Sequence, residues 1–487
     1  MNRVNIDKSL WLTAMECPTQ AWHPIRSTTQ PPPASARFRM QQGQEVGILA
    51  RDYLGPGVLV EKQDDQDVFS RTQSLIAADE NPLFEAAFRD GPLVAKADAL
   101  LRVDAGWHVV EVKSSFSDTD TMDDLVDDLA YTVMVARRCG IVVSQASLLL
   151  LSRDYHHGDD VTKLFTRVDQ TAAVDAVVTT FEGQREQVIE QLASKTPPTA
   201  VLVKACKACE FFENGCLGDG VEHTVWELPR LGGTKLERLS DAGVVALVDV
   251  PGDLKLSDTQ ARVLNSVRTG EAFIGAELRS DLDQVRWPCH YLDFETVATV
   301  LPLYPDRTCH EQVLTQYSIH TAAGLRQEPT HVDFLADAHA DQERELAEAL
   351  IAALQGEGSI LAYSSFEKQR LNGLAERFED LAGALHAIVE RLVDLLAIVS
   401  KNVYDPGFKG SFSIKKVLPV LVPALGYDDL AVADGDTAIM QFARMARGEI
   451  PADDVAATRQ SLLDYCQRDT LAMVRLHDAL EALCDAG

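Results

Sequence analysis

The chain has 487 residues and a formal net charge of −29, from 45 Lys plus Arg against 74 Asp plus Glu. Apolar residues make up 46% and charged residues 24%, which excludes an intrinsically disordered or fibrous chain. No run approaches the length of a transmembrane helix. The opening stretch Met1-Asn2-Arg3-Val4-Asn5-Ile6-Asp7 lacks the apolar core of a signal peptide, so a cytoplasmic protein without membrane partners is expected. The acid excess argues against bulk attraction to nucleic acid. It leaves room for an enzyme that holds cations on carboxylates and carries a local basic groove. Nine cysteines are too sparse for a disulfide scaffold, and clustered cysteines in such a chain point to metal.

At about 150 residues per domain, roughly three parts are expected. Residues 1–220 form one α/β part, 221–285 a short helical connector, and 286–487 a second α/β part. In the first, residues 41–53 are predicted helical. Leu93–Val103 and residues 106–115 are predicted strands, joined by a turn at Asp104-Ala105-Gly106 where glycine supplies the unusual backbone angle. A helix over 124–139 and a strand over 146–152 follow. Residues 118–128 hold six aspartates, read as a solvated loop and a helix N-terminus. The connector reads as helix, Gly243 turn, helix. It is either a helix-hairpin-helix presenting backbone N–H groups to phosphate or a packed spacer. In the third part, strands are predicted over 290–294, 314–320 and 359–362, with helices over 341–354 and 459–480.

The hairpin carries Asp98 on one strand and Glu111-Val112-Lys113 on the next. Strand alternation puts Glu111 and Lys113 on one face, and the hairpin brings Asp98 beside them. Two carboxylates suit the hard cations Mg²⁺ or Mn²⁺, and a lysine there can orient water and stabilise charge developing on phosphate. Asn81-Pro82-Leu83-Phe84-Glu85-Ala86-Ala87-Phe88 precedes Asp98, and Ser114-Ser115 follows Lys113. Together these residues resemble the PD-(D/E)XK nuclease superfamily, in the RecB-like branch that bears an iron–sulfur cluster and includes the CRISPR-adaptation exonucleases. The resemblance covers residues 9–217. It implies a restriction-endonuclease-like mixed sheet with Asp98, Glu111 and Lys113 catalytic and Glu45 as an upstream metal ligand. Many members place a His on that upstream helix and a Gln-x-x-x-Tyr helix after the lysine. Here there is no such His, and the later helix reads Asp128-Leu129-Ala130-Tyr131, without the Gln.

Cys206-Lys207-Ala208-Cys209 and Cys216 form a C-x2-C-x6-C set, with Cys17 as the fourth candidate. Four thiolates suit either Zn²⁺ or an iron–sulfur cluster, and spacing alone does not separate them. One early cysteine with three after the nuclease strands resembles the iron–sulfur RecB-like nucleases. That resemblance implies a structural 4Fe-4S cluster stapling the two ends of the domain.

The third part opens with Asp293-Phe294-Glu295 on a predicted strand. It continues through Phe366-Glu367 and Asp394 and ends with Tyr465-Cys466-Gln467-Arg468-Asp469, where Tyr465 and Asp469 share a helix face. Four carboxylates can hold two divalent ions about 4 Å apart and support in-line attack of water on a phosphodiester. This order resembles the DEDDy exonucleases, of ribonuclease H-like fold, over residues 288–482. The resemblance implies that Asp293, Glu295 and Asp469 are metal ligands and that Tyr465 positions water. The family commonly has Asp where Glu367 stands, with Asp394 as the fallback ligand. Lys409, Lys415 and Lys416, in Phe408-Lys409-Gly410-Ser411-Phe412-Ser413-Ile414-Lys415-Lys416, form a basic patch suited to phosphate.

The fused layout is similar to a bacterial family of unknown function that joins these two nuclease halves. The expectation is a metal-dependent nuclease, DNA before RNA as substrate, acting on single strands or ends in repair or defence. Three alternatives stand beside it: one working half with the other binding nucleic acid, an RNA exonuclease, and a non-catalytic scaffold.

Overall fold

The structure is a computed structural model that describes residues 4–26, 31–62, 66–200, 202–217 and 220–486. Residues 1–3, at the head of the N-terminal stretch read above, lie outside these. The chain is α/β and divides into two compact units. The first is Met1–Cys216 with Thr299–Glu311, and the second is Leu217–Ala298 with Gln312–Gly487.

The first unit begins with α1 (Lys8–Glu16), α2 (Pro18–Trp22) and α3 (Ala34–Leu54). Helix α3 is longer than its apolar periodicity suggests. It starts directly after Pro31-Pro32-Pro33 and stops at Gly55, whose φ is +94°. Then come β1 (Val58–Leu59), α4 (Val68–Ala77), β2 (Leu83–Asp90), β3 (Leu93–Val103), β4 (Gly106–Phe116), α5 (Met122–Arg138), β5 (Val143–Leu151), β6 (Phe165–Asp169) and α6 (Thr171–Ala193). The six strands lie in chain order in one sheet. Strands β2, β3 and β4 form an antiparallel meander, and β4 and β5 run parallel. The β3–β4 turn requires glycine at 106. Its φ is +142°, and a Cβ there would meet the Val142 carbonyl oxygen at 2.3 Å.

Helix α5 carries an unbroken buried run from Leu129 to Ala136, as expected of a helix covered on more than one side. Trp11 of α1 is fully buried against Tyr131 and Phe181, with ring centroids 5.6 Å away in each case. Burying a side chain of this size contributes about 3 kcal/mol. It fixes α1 to α5 and α6.

The second unit contains α7 (Gly233–Asp241), α8 (Asp258–Thr269), β7 (Phe273–Ile274) and α9 (Leu278–Leu282). Residues 247–249 make only a 3₁₀ turn where a second connector helix was predicted, because Pro251-Gly252 interrupts it; the next full helix is α8, capped by Ser257. The rest comprises β8 (Cys289–Val297), β9 (Val313–Ala322), β10 (Thr330–Leu335), α10 (Glu343–Ala353), β11 (Ile360–Ala362), α11 (Phe366–Arg377), α12 (Ala382–Val389), β12 (Leu392–Asp394), α13 (Leu395–Asn402), β13 (Val403–Tyr404), α14 (Ile414–Leu421), α15 (Gly435–Ala446) and α16 (Ala452–Ala486). Its main sheet has the order β10-β9-β8-β11-β12. The first three strands are antiparallel, while β11 and β12 run parallel to β8. β8 is thus central, and α16 packs across β8 and β9. No helix among the described residues is long and apolar enough to cross a membrane.

Candidate functional sites

In the first unit, Ala99 pairs with Val110, so one further step along the ladder sets Asp98 beside Glu111. Asp98 Oδ2 accepts the Val112 N–H at 2.7 Å. The β4–β5 pairing breaks between Val112 and Phe116, a local irregularity that frees Lys113 from the regular ladder. Lys113 Nζ lies 3.1 Å from Glu111 Oε1 and also pairs with Asp128 of α5. Burial, then the Glu111 charge, pushes the Asp98 carboxyl up to about 7. Burial pulls the Lys113 ammonium down, but Glu111 and Asp128 outweigh it and hold lysine above its ordinary range.

Asp98, Val112 and Lys113 line a cavity of 630 Å³ with the α3 face that carries Met40, Gln44 and Arg51. Glu45 is on α3 but is not among the residues lining this cavity, and it accepts a hydrogen bond from Gln41 Nε2 at 3.2 Å. Tyr131 is core: its hydroxyl donates to the Ile6 carbonyl at 2.5 Å and the side chain is fully buried.

Three further residues of this site had no role of their own in the sequence reading. Glu85 faces Asp98 across β2–β3, between the pairs Phe84–Ala99 and Ala86–Ala97. It adopts φ +60°, rare for a non-glycine in a strand, and its charge raises Asp98 further. Asp128 and Lys8 are the others.

The four cysteines also converge: Cys17, Cys206, Cys209 and Cys216 line one small cavity. Backbone N–H groups of Gln20 and Val203 donate to Cys17 Sγ at 3.4 Å and Cys206 Sγ at 3.3 Å. Burial, then the neighbouring cysteines, pushes the Cys216 thiol up. Four converged thiols suit Zn²⁺ or an iron–sulfur cluster.

In the second unit, Asp293 and Glu295 project from central strand β8 and Asp469 from α16. Each offers a carboxylate oxygen, and these atoms all lie within 4.8 Å of one another. The strand alternation and the helix repeat place them without help from long loops. They line a cavity of 260 Å³ with Tyr363, Glu367, Lys415 and Tyr465. Glu367 sits in the first turn of α11, just past the end of β11, and accepts from Ser364 Oγ at 3.3 Å. It lies outside the close group of three. Asp394 caps α13 through the Ala397 N–H at 3.1 Å, and its charge acts on Glu367 from behind.

Tyr465 lines the cavity beside Asp469, and Lys415 Nζ donates to the Tyr465 hydroxyl at 3.2 Å. Tyr427 donates to Asp469 Oδ1 at 2.6 Å, a partner the sequence did not reveal. Cys466 Sγ lies 3.4 Å from Asp293 Oδ2. Lys416 and Lys409 are exposed, the latter bonded to the Glu222 carbonyl at 2.9 Å. The loop holding Lys409 requires glycine at 410, where φ is +74° and a Cβ would strike the Glu227 carbonyl oxygen at 2.0 Å.

Crowded carboxylates repel one another's charge. Burial, then Asp469, pushes Glu295 up to about 8, and burial pushes Glu367 up to about 7. Asp293 is driven well above the ordinary range by burial, then by Asp469 and Glu295. Burial also raises Asp469, although Tyr427 and Lys415 oppose it. The group therefore holds protons near neutrality and has charge to offer a cation that displaces them.

Residues 290–413 match the family described as Domain of unknown function (DUF2779). The match includes Asp293, Glu295, Glu367 and Asp394, and it ends before Tyr465 and Asp469. No curated protein matches the chain.

Proposed function

We propose that this chain is a metal-dependent nuclease that hydrolyses phosphodiester bonds of DNA, on single strands or ends. The observation that carries the proposal is the convergence of Asp293, Glu295 and Asp469, with Tyr465 lining the same cavity. Acidic clusters of this kind suit Mg²⁺ or Mn²⁺, which take oxygen ligands. Divalent ions held there supply Lewis-acid stabilisation of the attacking and leaving oxygens. Tyr465 orients the nucleophilic water through its hydroxyl, while Lys415 pairs with a substrate phosphate oxygen. Glu367 lines the same cavity and is suited to complete the ligand set. A central strand bearing Asp293 and Glu295, with a closing helix across the sheet, is in keeping with the ribonuclease H-like reading.

The first unit is read as the RecB-like half, with Asp98 and Glu111 offering the ligands and Lys113 stabilising phosphate charge. The orphaned Glu111 Oε2, buried with no hydrogen-bond partner, fits a cation there. The four-cysteine cavity is suited to a 4Fe-4S cluster, the group the resemblance implies, with zinc as the alternative for four thiolates. Such a cluster would tie Cys17 to the segment Cys206–Cys216, closing a loop of about 190 residues, so its role is structural. The cationic occupation of Glu111 favours a second reading, in which the second unit alone cleaves and the first binds nucleic acid.

The test is degradation of end-labelled single-stranded DNA, duplex DNA and RNA with Mg²⁺ or Mn²⁺. Wild type, Lys113→Ala, Asp293→Ala and the double variant are compared after anaerobic purification. Two nucleases are expected to give a distinct loss in each single variant and a dead double. One silent single variant selects the second reading. A double variant as active as wild type overturns the nuclease assignment.

A further inference from the structure

Lys8 is the first residue of α1 and approaches the first unit's acids directly. Its ammonium pairs with Glu111 Oε1 and lies 3.5 Å from Asp128 Oδ2. Lys113 grips the same two carboxylates. Lys8 and Asp98 line a second cavity, of 570 Å³, whereas Lys113 and Asp98 line the first. Two lysines therefore reach one buried glutamate, each from its own cavity. Glu111 keeps its other oxygen unpaired.

This is not the behaviour of a solvated surface lysine. Two residues earlier, Ile6 is bonded on either side of Leu93: its N–H donates to the Pro92 carbonyl at 2.8 Å and its carbonyl accepts from the Val94 N–H at 2.9 Å. Asp7 caps α1 through the Leu10 N–H at 2.9 Å. Three residues later, Trp11 is fully buried. The backbone at Lys8 is held from both directions, so the ammonium is delivered to Glu111 by the fold. The same helix runs directly into Cys17.

We propose that Lys8 is the built-in counter-cation of the Asp98–Glu111–Lys113 site, holding Glu111 when no divalent ion is bound and opposing ion entry. This rests on reading that site as a divalent-cation site. A monovalent ammonium on a buried carboxylate stabilises it, and a divalent ion arriving at the same carboxylate meets that positive charge as repulsion. Lys8 thereby sets the ion concentration at which the first unit becomes competent.

The test is Mn²⁺ binding to the full chain, read as loss of the free-ion paramagnetic signal. The background carries Asp293→Asn and Asp469→Asn, which weakens the second unit's group. Lys8→Met and Lys8→Gln are each expected to bind Mn²⁺ about tenfold tighter than the background, while Lys8→Arg matches it. Thermal melts identify which neutral variant is folded, and either one decides. Unchanged or weaker binding in a folded neutral variant overturns the role of Lys8 and leaves the metal reading standing. If Glu111→Gln changes Mn²⁺ binding in neither the background nor the neutral variants, the metal reading itself fails, and this proposal with it.

Discussion

The two acid sites solve the same electrostatic problem in opposite ways. In the first unit, Lys8 and Lys113 sit on Glu111 and Asp128, so cations from the chain already compensate the buried charge. In the second, Asp293, Glu295 and Asp469 face one partly buried lysine, Lys415, and two phenols, and protons carry much of the compensation. The raised values of Glu295 and Glu367 are the consequence. A divalent ion entering the first site competes with ammonium groups and with a proton on Asp98, raised to about 7, and one entering the second competes mainly with protons. The first should respond more to charge-removing substitutions, and the second to pH over a wider range.

The largest expected effect is loss of the second unit's cleavage in Asp469→Asn. Removing a preorganised charge from such a site should lower its rate on the order of 10³-fold, measured as kcat on end-labelled DNA, with the first unit's products unchanged. Lys113→Ala should do the same to the first unit alone, by about 10²- to 10³-fold. If each substitution silenced both activities, the two sites would not be independent.

Trp11→Ala should cost the first unit about 3–5 kcal/mol, seen as loss of its melting transition while the second unit's activity persists. Cys209→Ser should lower the same transition and bleach any iron–sulfur absorbance. An unchanged melt in Cys209→Ser would remove the structural role of the four-cysteine end.

The pH dependence sharpens the contrast. A carboxyl raised on folding keeps its proton in the native state after the unfolded chain has released its own. Its contribution to stability is therefore lost as pH rises from its unfolded value, about 4.5 for Glu, through its folded value. Metal-free protein should melt at lower temperature as pH climbs from about 4.5 to about 8, the folded value of Glu295. Added Mn²⁺ should reverse the trend, because the ion takes up the charge as protons leave. A melting temperature flat across that window would contradict the assigned burial. The smallest effect is expected from Tyr427→Phe, which removes one hydrogen bond to Asp469 and should weaken Mn²⁺ binding by about tenfold, the scale of losing a partner of a ligand.

Much of this arrangement was legible because short-range periodicity produces it. Asp293 and Glu295 share a face through strand alternation, and Tyr465 and Asp469 through the helix repeat. The β3–β4 hairpin was visible in Asp104-Ala105-Gly106 because only glycine fits that approach to Val142. Lys8, Glu85, Asp128, Tyr427 and Cys466 were not legible as site residues. Lys8 meets Glu111 across 103 positions of sequence and Tyr427 meets Asp469 across 42, so no local pattern marks them. Glu85 stood in the segment preceding Asp98 with no role of its own, and only its positive φ sets it apart. The 3₁₀ turn at 247–249 in place of a helix shows Pro251-Gly252 overriding apolar spacing.

The central claim is that the second unit's converged carboxylates are a divalent-cation site. The most direct test is anomalous scattering from Mn²⁺-soaked crystals of the full chain near pH 8. The account predicts a peak within about 2.1–2.3 Å of oxygens from Asp293, Glu295 and Asp469. Ordered carboxylates with no peak among them, at Mn²⁺ concentrations that saturate any cleavage, would contradict it.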